Sequence, residues 1–310
     1  MSCWLEARQK CPRCPVDCRS SKDWPIVLKQ DVFPFFIGFQ RSGTTLLRAM
    51  FNAHPEVAIP YEGRFLEWLR FPWIHQRYET KQGFATEIFV SDLFRDPNFG
   101  SWQLNRRQVL EALEEPASSL SVNIRRVYAL YAAMRGKKRY ADKTAGLNLQ
   151  VPFVSSLFPE ARFIHIIRDG RNVALAWRDA PWNIVKAPAE VALNWAASVE
   201  IGRMTGQLVG RMHYREIRYE SLIDDPEGSL REVCKFLEIT FDQAMLAYHE
   251  CPDEVVNSDP FPQAQKSLHL PPTKGLRDWS RHMPKKDLRD FEKVAGDALQ
   301  RFGYDLSTRN

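Results

Sequence analysis

The sequence predicts an α/β domain with a central parallel sheet flanked by helices. Three observations carry that reading. A doubly apolar run, FPFFIGF at 33–39, passes through a Gly-bounded turn into TTLLRAMFNA, whose apolar residues recur at helical spacing. The same order of strand, turn and helix returns at 161–177, where ARFIHII leads through Asp169 and Gly170 into RNVALAW. Shorter strand signals, KRYAD near Tyr140 and YREIRY near Ile217, alternate with amphipathic stretches, and that alternation makes parallel sheets covered on both faces.

In chain order, residues 1–31 are polar, broken by proline and rich in cysteine, and read as an N-terminal extension. Cys3, Cys11, Cys14 and Cys18 include one C-x-x-C pair and two further thiols that could hold zinc tetrahedrally, but with no matching second pair the signal is weak and free thiols in the extension are the favoured reading. The domain proper spans 32–310. Helices are expected at 120–135, 189–209, 226–237 and 284–302 from their apolar periodicity. Cys234 reads as a small buried apolar residue in one of them, while Cys251 stands alone. The segment 251–279, Pro-rich and helix-poor, is too long for a simple connector and reads as a loop that covers a ligand.

With 44% hydrophobic residues in 310, the chain has enough apolar material for a large core. No apolar run approaches the ~20 residues of a transmembrane helix, and no secretory leader is apparent, so a cytoplasmic protein is expected. The net charge of +5 is spread along the chain without a basic run, which suits a small anionic ligand rather than nucleic acid.

GFQRSGTT, residues 38–45, fits the phosphate-loop pattern G-x-x-x-x-G-K-[ST] except that Thr44 takes the lysine position. Glycines let the backbone approach an anion, and the N–H groups at the following helix start supply donors. Gly43, Thr44 and Thr45 keep this cradle, Ser42 lies inside it, and Arg41 is its nearest cation. Without the lysine that neutralises a triphosphate, the loop suits a less charged transferable group held by a forked guanidinium. A sulfuryl group meets that description.

The stretch PFFIGFQRSGTTLLRAMFNAHPEV resembles the 5′-phosphosulfate loop of sulfotransferases that use 3′-phosphoadenosine-5′-phosphosulfate (PAPS). It is most similar to the protein-tyrosine sulfotransferases and related bacterial enzymes. ARFIHIIRDGRNVALAW resembles their 3′-phosphate segment, IRYESLIDDPEGSLREVCKFLEI a later strand and helix, and TKGLRDWSRHMP with FGYDL their C-terminal region. The ordered set covers most of 32–306 and implies a P-loop-like fold.

That resemblance also implies roles. Glu62, in HPEVAIPYEGRF, would be the base that takes the acceptor proton; Arg64, two residues on, reads equally as a cation that orients the base or the acceptor and as an exposed surface charge. Lys143, in RYADKTAGL, and Arg41 would stabilise the transferred group and the departing oxygen. The remaining donor contacts would come from Ser42, Gly43, Thr44, Thr45, Arg168 on the 3′-phosphate and Tyr219 beside adenine. Lys266, Ser267, Lys274 and Arg277 are expected in the covering loop. Two family positions differ here. The 3′-phosphate serine is Ala176, so a backbone N–H or another side chain, Arg171 or Arg178, must replace that contact, and the lysine before Trp279 is Asp278, which leaves Arg277 or Lys274 as candidates. Ile59 and Ala141 stand where the secretory tyrosine enzymes carry disulfide cysteines, in keeping with the cytoplasmic expectation.

The implied reaction is sulfuryl transfer from PAPS to an acceptor hydroxyl, leaving 3′,5′-adenosine bisphosphate and requiring no metal. The acceptor classes are a small molecule, a glycan, a lipid-linked alcohol or a tyrosyl peptide. A P-loop kinase, with Asp169 on magnesium, and a non-catalytic adenosine-bisphosphate-binding protein are the alternatives. Oligomeric state is not readable at this level.

Overall fold

The computed structural model describes residues 32–113, 119–180, 187–259 and 262–307. Cys3, Cys11, Cys14 and Cys18 lie outside these residues, as does the rest of the N-terminal extension. Among the described residues there are eight strands: β1 (Phe33–Ile37), β2 (Val57–Ala58), β3 (Glu79–Thr80), β4 (Gly83–Phe84), β5 (Arg139–Tyr140), β6 (Asp142–Lys143), β7 (Ala161–Ile167) and β8 (Tyr214–Arg218). The main sheet runs in the order β6-β1-β7-β8. β7 and β8 pair in parallel from Phe163 opposite Tyr214 to Ile167 opposite Arg218. Every residue of β1 is buried, which is why its sequence is continuously apolar rather than alternating.

The principal helices are α1 (Thr44–Ala53), α2 (Leu120–Ala133), α3 (Gly170–Arg178), α4 (Pro188–Val209), α5 (Tyr219–Asp224), α6 (Pro226–Leu237) and α7 (Lys285–Arg301). Local chemistry sets their ends. Asp169 caps α3 by accepting from the Arg171 N–H, and Asp225 caps α6 by accepting from the Gly228 N–H, with Pro226 at the first position. The segment 251–279 is less irregular than its composition predicts: it contains a helix at Asp253–Asn257 and a 3₁₀ helix at Pro262–His269.

The described chain divides into two units. One takes residues 32–34, 48–144 and 241–271. Its core is aromatic: Trp102 lies 5.0 Å from Tyr128 and 5.8 Å from Phe65, and Phe33 meets Tyr140 edge-on at 4.8 Å. β2 and β5 pair in parallel within it, and β3 and β4 form an antiparallel hairpin.

The other unit takes residues 35–47, 145–240 and 272–307. Ile167, Val173, Val191, Trp195, Phe291 and Leu299 belong to one of its buried clusters, to which β7, α3, α4 and α7 all contribute. α4 approaches the sheet closely because two positions lack side chains. A Cβ at Gly202 would stand 2.5 Å from the His165 ring, and one at Gly206 would stand 2.4 Å from the Tyr214 ring. His165 is fully buried, as its place in an apolar strand predicts, and its Nδ1 shares a 2.6 Å hydrogen bond with the Tyr214 hydroxyl. Burial pulls its pKa down to about 4. Among the described cysteines, Cys234 is a buried free thiol, as expected, whereas Cys251 is disulfide-bonded. Among the described residues no helix is long and apolar enough to cross a membrane.

Candidate functional site

In the second unit, the turn between β1 and α1 brings the loop residues together with two side chains from elsewhere in the chain. Arg41 has φ 67°, a left-handed conformation costly for a residue with a side chain. Its carbonyl accepts a 3.2 Å hydrogen bond from Arg168, which follows β7. Gly43 has φ 103°, and a Cβ there would come within 2.4 Å of the Tyr219 ring, so only glycine lets that ring lie on the loop. The Arg168 guanidinium in turn lies 4.2 Å over the same ring. Arg41, Gly43, Arg168 and Tyr219 thus form one cluster, assembled from segments up to 178 residues apart in the chain.

Arg168 in this cluster has no ion-pair partner among the described residues, although Glu220 and Asp169 act on it from farther off. It is buried, and its Nε has no hydrogen-bond partner among them. Burial holds its guanidinium below the ordinary arginine value; Tyr219, Glu220 and Asp169 oppose the fall and the positive charge of Arg277 adds to it. The buried Ser42 hydroxyl also lacks a partner among the described residues. Thr44 and Thr45 open α1, whose first turn carries no acidic residue. Unpaired donors, a helix N-terminus and a buried cation at one place make a cradle for an anion.

The other predicted donor contacts are less uniform. Lys274 is exposed and pairs with Asp224 at 2.6 Å, while Arg277 pairs with Asp179 at 3.4 Å. Arg171 does not substitute for the missing serine: it is buried and bound to Asp169 and Glu292, with the Trp279 ring 3.7 Å away. Arg178 is exposed beside Asp179, and Ala176 is buried inside α3. Asp278 caps the short helix Trp279–His282 by accepting from the Ser280 N–H, which accounts locally for an acid there. Lys266 and Ser267 are exposed on the 3₁₀ helix of the first unit.

In the first unit, Glu62 and Lys143 form a close ion pair in which the lysine is buried and the carboxylate is 24% exposed. Two residues that sequence reasoning passed over complete the surroundings. The Tyr61 ring lies 5.6 Å from the Lys143 ammonium and 5.7 Å from the Arg48 guanidinium, and burial raises its pKa. Arg48 is fully buried and donates to the Ile59 carbonyl at 3.1 Å and to Ser258 at 2.9 Å. Next to Lys143, the buried Asp142 accepts from Tyr128 at 2.8 Å and Thr144 at 3.1 Å. Desolvation raises Asp142 to about 7 against these hydrogen bonds, with the Glu62 charge adding to the rise and Lys143 opposing it. The only sequence signals for these residues were adjacency, Tyr61 to Glu62 and Asp142 to Lys143. Arg64 is exposed and pairs with Glu67 at 3.5 Å rather than with Glu62. It lines a cavity of about 560 Å³ with Trp68, Phe71, Arg77 and Tyr78.

Comparison with known proteins bears on this arrangement. The sulfotransferase-family model matches residues 34–243. Protein-tyrosine sulfotransferase 2 of Gallus gallus is 27% identical over 305 residues, covering 94% of this chain and 72% of that protein. Protein-tyrosine sulfotransferase A of Caenorhabditis elegans is 25% identical over 281 residues, covering 88% and 67% respectively. Among solved structures, the sulfotransferase domain of the Synechococcus PCC 7002 olefin synthase superposes with a TM-score of 0.59 at 22% identity. It covers 92% of this chain and 99% of its own. The sulfotransferase domain from the curacin biosynthetic pathway superposes at 0.60 with 17% identity, covering 90% and 99%.

Proposed function

The chain belongs to the sulfotransferase family, and from that premise we propose that it moves a sulfuryl group from PAPS to an acceptor hydroxyl. The observation that carries the choice of donor is the anion cradle, where a buried Arg168, with no ion-pair partner among the described residues, donates to the Arg41 carbonyl beside Gly43 and Tyr219. Those residues fit an adenosine bisphosphate: Ser42, Gly43, Thr44 and Thr45 would hold the 5′-phosphosulfate, Arg168 the 3′-phosphate and Tyr219 the base edge. Lys274 and Arg277 are assigned to the same end of the nucleotide.

In this reading Glu62 takes the acceptor proton as the acceptor oxygen bonds to sulfur, and the bond from sulfur to the bisphosphate oxygen breaks in line with it. Lys143 and Arg41 balance charge on the transferred group and the departing oxygen. Two protein-tyrosine sulfotransferases stand among the similar proteins, so a tyrosyl hydroxyl is the first acceptor to test. Small alcohols, glycans and lipid-linked alcohols are the other classes.

The kinase alternative asks Asp169 to hold magnesium. That carboxylate already caps α3 and binds Arg171 at 3.0 and 2.7 Å, which leaves it committed. Thermal shift separates the readings: 3′,5′-adenosine bisphosphate should raise the melting temperature in the presence of a chelator, and ATP with magnesium should not. The reverse pattern would reject the proposal.

A further inference from the structure

Glu62 and Lys143 stand 81 residues apart in the chain, and besides their ion pair a second route joins them, through two buried aromatic side chains of the same unit. Trp102, the last residue of the 3₁₀ helix Phe99–Trp102, donates from its indole Nε1 to the Tyr61 carbonyl at 2.9 Å. That carbonyl shares one planar peptide unit with the Glu62 N–H, so the bond orients the backbone from which the carboxylate projects. On the other side of Glu62, Gly63 lies against the same indole: a Cβ there would stand 2.4 Å from the Phe65 ring and 3.2 Å from Trp102. The Trp102 and Tyr128 rings meet edge-on at 5.0 Å, and Tyr128, on α2, donates its hydroxyl to Asp142 at 2.8 Å. Asp142 precedes Lys143 in β6, and Thr144 donates to the same carboxylate oxygen at 3.1 Å. The contacts therefore run from Glu62 through Tyr61, Trp102, Tyr128 and Asp142 to Lys143, and the ion pair closes the circuit.

Both aromatic side chains are fully buried, and packing alone accounts for their rings, which contact Phe65, Phe99 and Phe33. Their polar atoms need partners once buried, and those partners are the residues next to Glu62 and Lys143. Burial and the Asp142 charge raise the Tyr128 pKa well above the ordinary tyrosine value, so its hydroxyl stays a donor. We propose that Trp102 and Tyr128 are positioning residues for sulfuryl transfer, a rigid bridge that sets the separation of the base from the lysine. The proposal rests on the roles given above to Glu62 and Lys143. Neither ring touches a reacting group; Trp102 acts through the Tyr61 peptide and Tyr128 through Asp142. Misplacing a reacting group by about 1 Å can cost ~10²-fold in rate. Loosening either end of the bridge therefore lowers turnover, and it leaves the nucleotide cradle of the second unit as it was.

Trp102→Phe, Tyr128→Phe and the double variant of the full chain test this by two readouts. The first needs no substrate: acylation by an N-hydroxysuccinimide ester, read by peptide mass spectrometry. Lys143, 2% exposed, should label at least roughly tenfold faster in either single variant, while Lys137, which donates to the Val57 carbonyl at 2.8 Å, keeps its wild-type rate. The second is turnover with labelled PAPS, using phenol and a tyrosyl peptide as probe acceptors. Each single variant should lose at least roughly tenfold in kcat at unchanged affinity for 3′,5′-adenosine bisphosphate, and the double variant should fall no further than the slower single, because both substitutions break one circuit. Unchanged Lys143 labelling in both singles would overturn the proposal, and so would losses that multiply in the double variant. A lower melting temperature at wild-type kcat would make the two aromatics structural only. A wild type that transfers to neither acceptor would count against the reading of the reaction, and the labelling would still decide whether the bridge holds the pair.

Discussion

Glu62 and Lys143 meet with unequal exposure, the lysine enclosed and the carboxylate partly open to solvent, and that inequality suits a base that must receive a proton from outside. Glu62→Gln keeps size and hydrogen bonding but cannot accept the proton. Turnover should fall roughly a hundredfold or more while bisphosphate affinity holds, and phenols of low pKa should recover much of the rate. Equal losses across an acceptor series, with a lower melting temperature, would make Glu62 structural. Arg41→Ala should cost roughly 2.7 to 4 kcal/mol of transition-state stabilisation, by analogy with a lost oxyanion donor, and wild-type turnover in that variant would refute its role. Asp142 gives a pH signature. Its folded pKa, about 7, lies above its ordinary 3.8, so between these values the folded state binds more protons than the unfolded one. Stability from this group is therefore full below about pH 4 and falls as pH rises through 7, by an amount on the order of a few kcal/mol. Urea unfolding at pH 5 and pH 8 should show that fall in wild type and a flatter response in Asp142→Asn; identical responses would contradict the assignment. Glu62, Lys143, Arg41 and Arg168 could be named from the sequence because each lies within a short local pattern. Tyr61, Arg48 and Asp142 were missed because burial and long-range packing, which no spacing encodes, give them their environment. The strained φ of Arg41 was equally hidden.

At the scale of elements, the loop joining β1 to α1 works through backbone shape. Gly43→Ala would force a side chain into φ 103° and into the Tyr219 ring. We expect about 1 to 3 kcal/mol of strain, displacement of the ring and loss of bisphosphate binding with the rest of the fold retained. A normal bisphosphate affinity in this variant would show that the ring position is dispensable. The elements that the sequence displayed best are those whose burial is simplest. β7 and α6 were expected at 161–167 and 226–237 and occur there, one buried at every position but Arg162 and one cleanly amphipathic. The segment from Phe65 to Arg95 was harder to read. Its helices are four, seven and ten residues long, with a two-strand hairpin between the second and the third, so the first two are too short to establish a period. α5 was hidden for another reason, since it starts at Tyr219, directly after the last residue of β8.

For the whole molecule, Cys251 raises a question of compartment. Disulfides persist in oxidising surroundings, whereas a cytoplasmic location was expected from the lack of leader-like apolar runs. Alkylation of the purified chain before and after reduction should find Cys251 protected only before reduction; labelling of the native chain would argue that the bond does not form. The central claim concerns chemistry rather than location, and transfer of label tests it most directly. The full chain is incubated with PAPS labelled in sulfur, a chelator, and acceptors spanning tyrosyl peptides, simple phenols, glycans and aliphatic alcohols. The account predicts that label moves to the hydroxyl of at least one class, with one 3′,5′-adenosine bisphosphate formed per group transferred, and that Lys143→Ala abolishes the transfer. Tight bisphosphate binding with label left on the donor in every mixture would contradict it and make the protein a nucleotide binder rather than an enzyme.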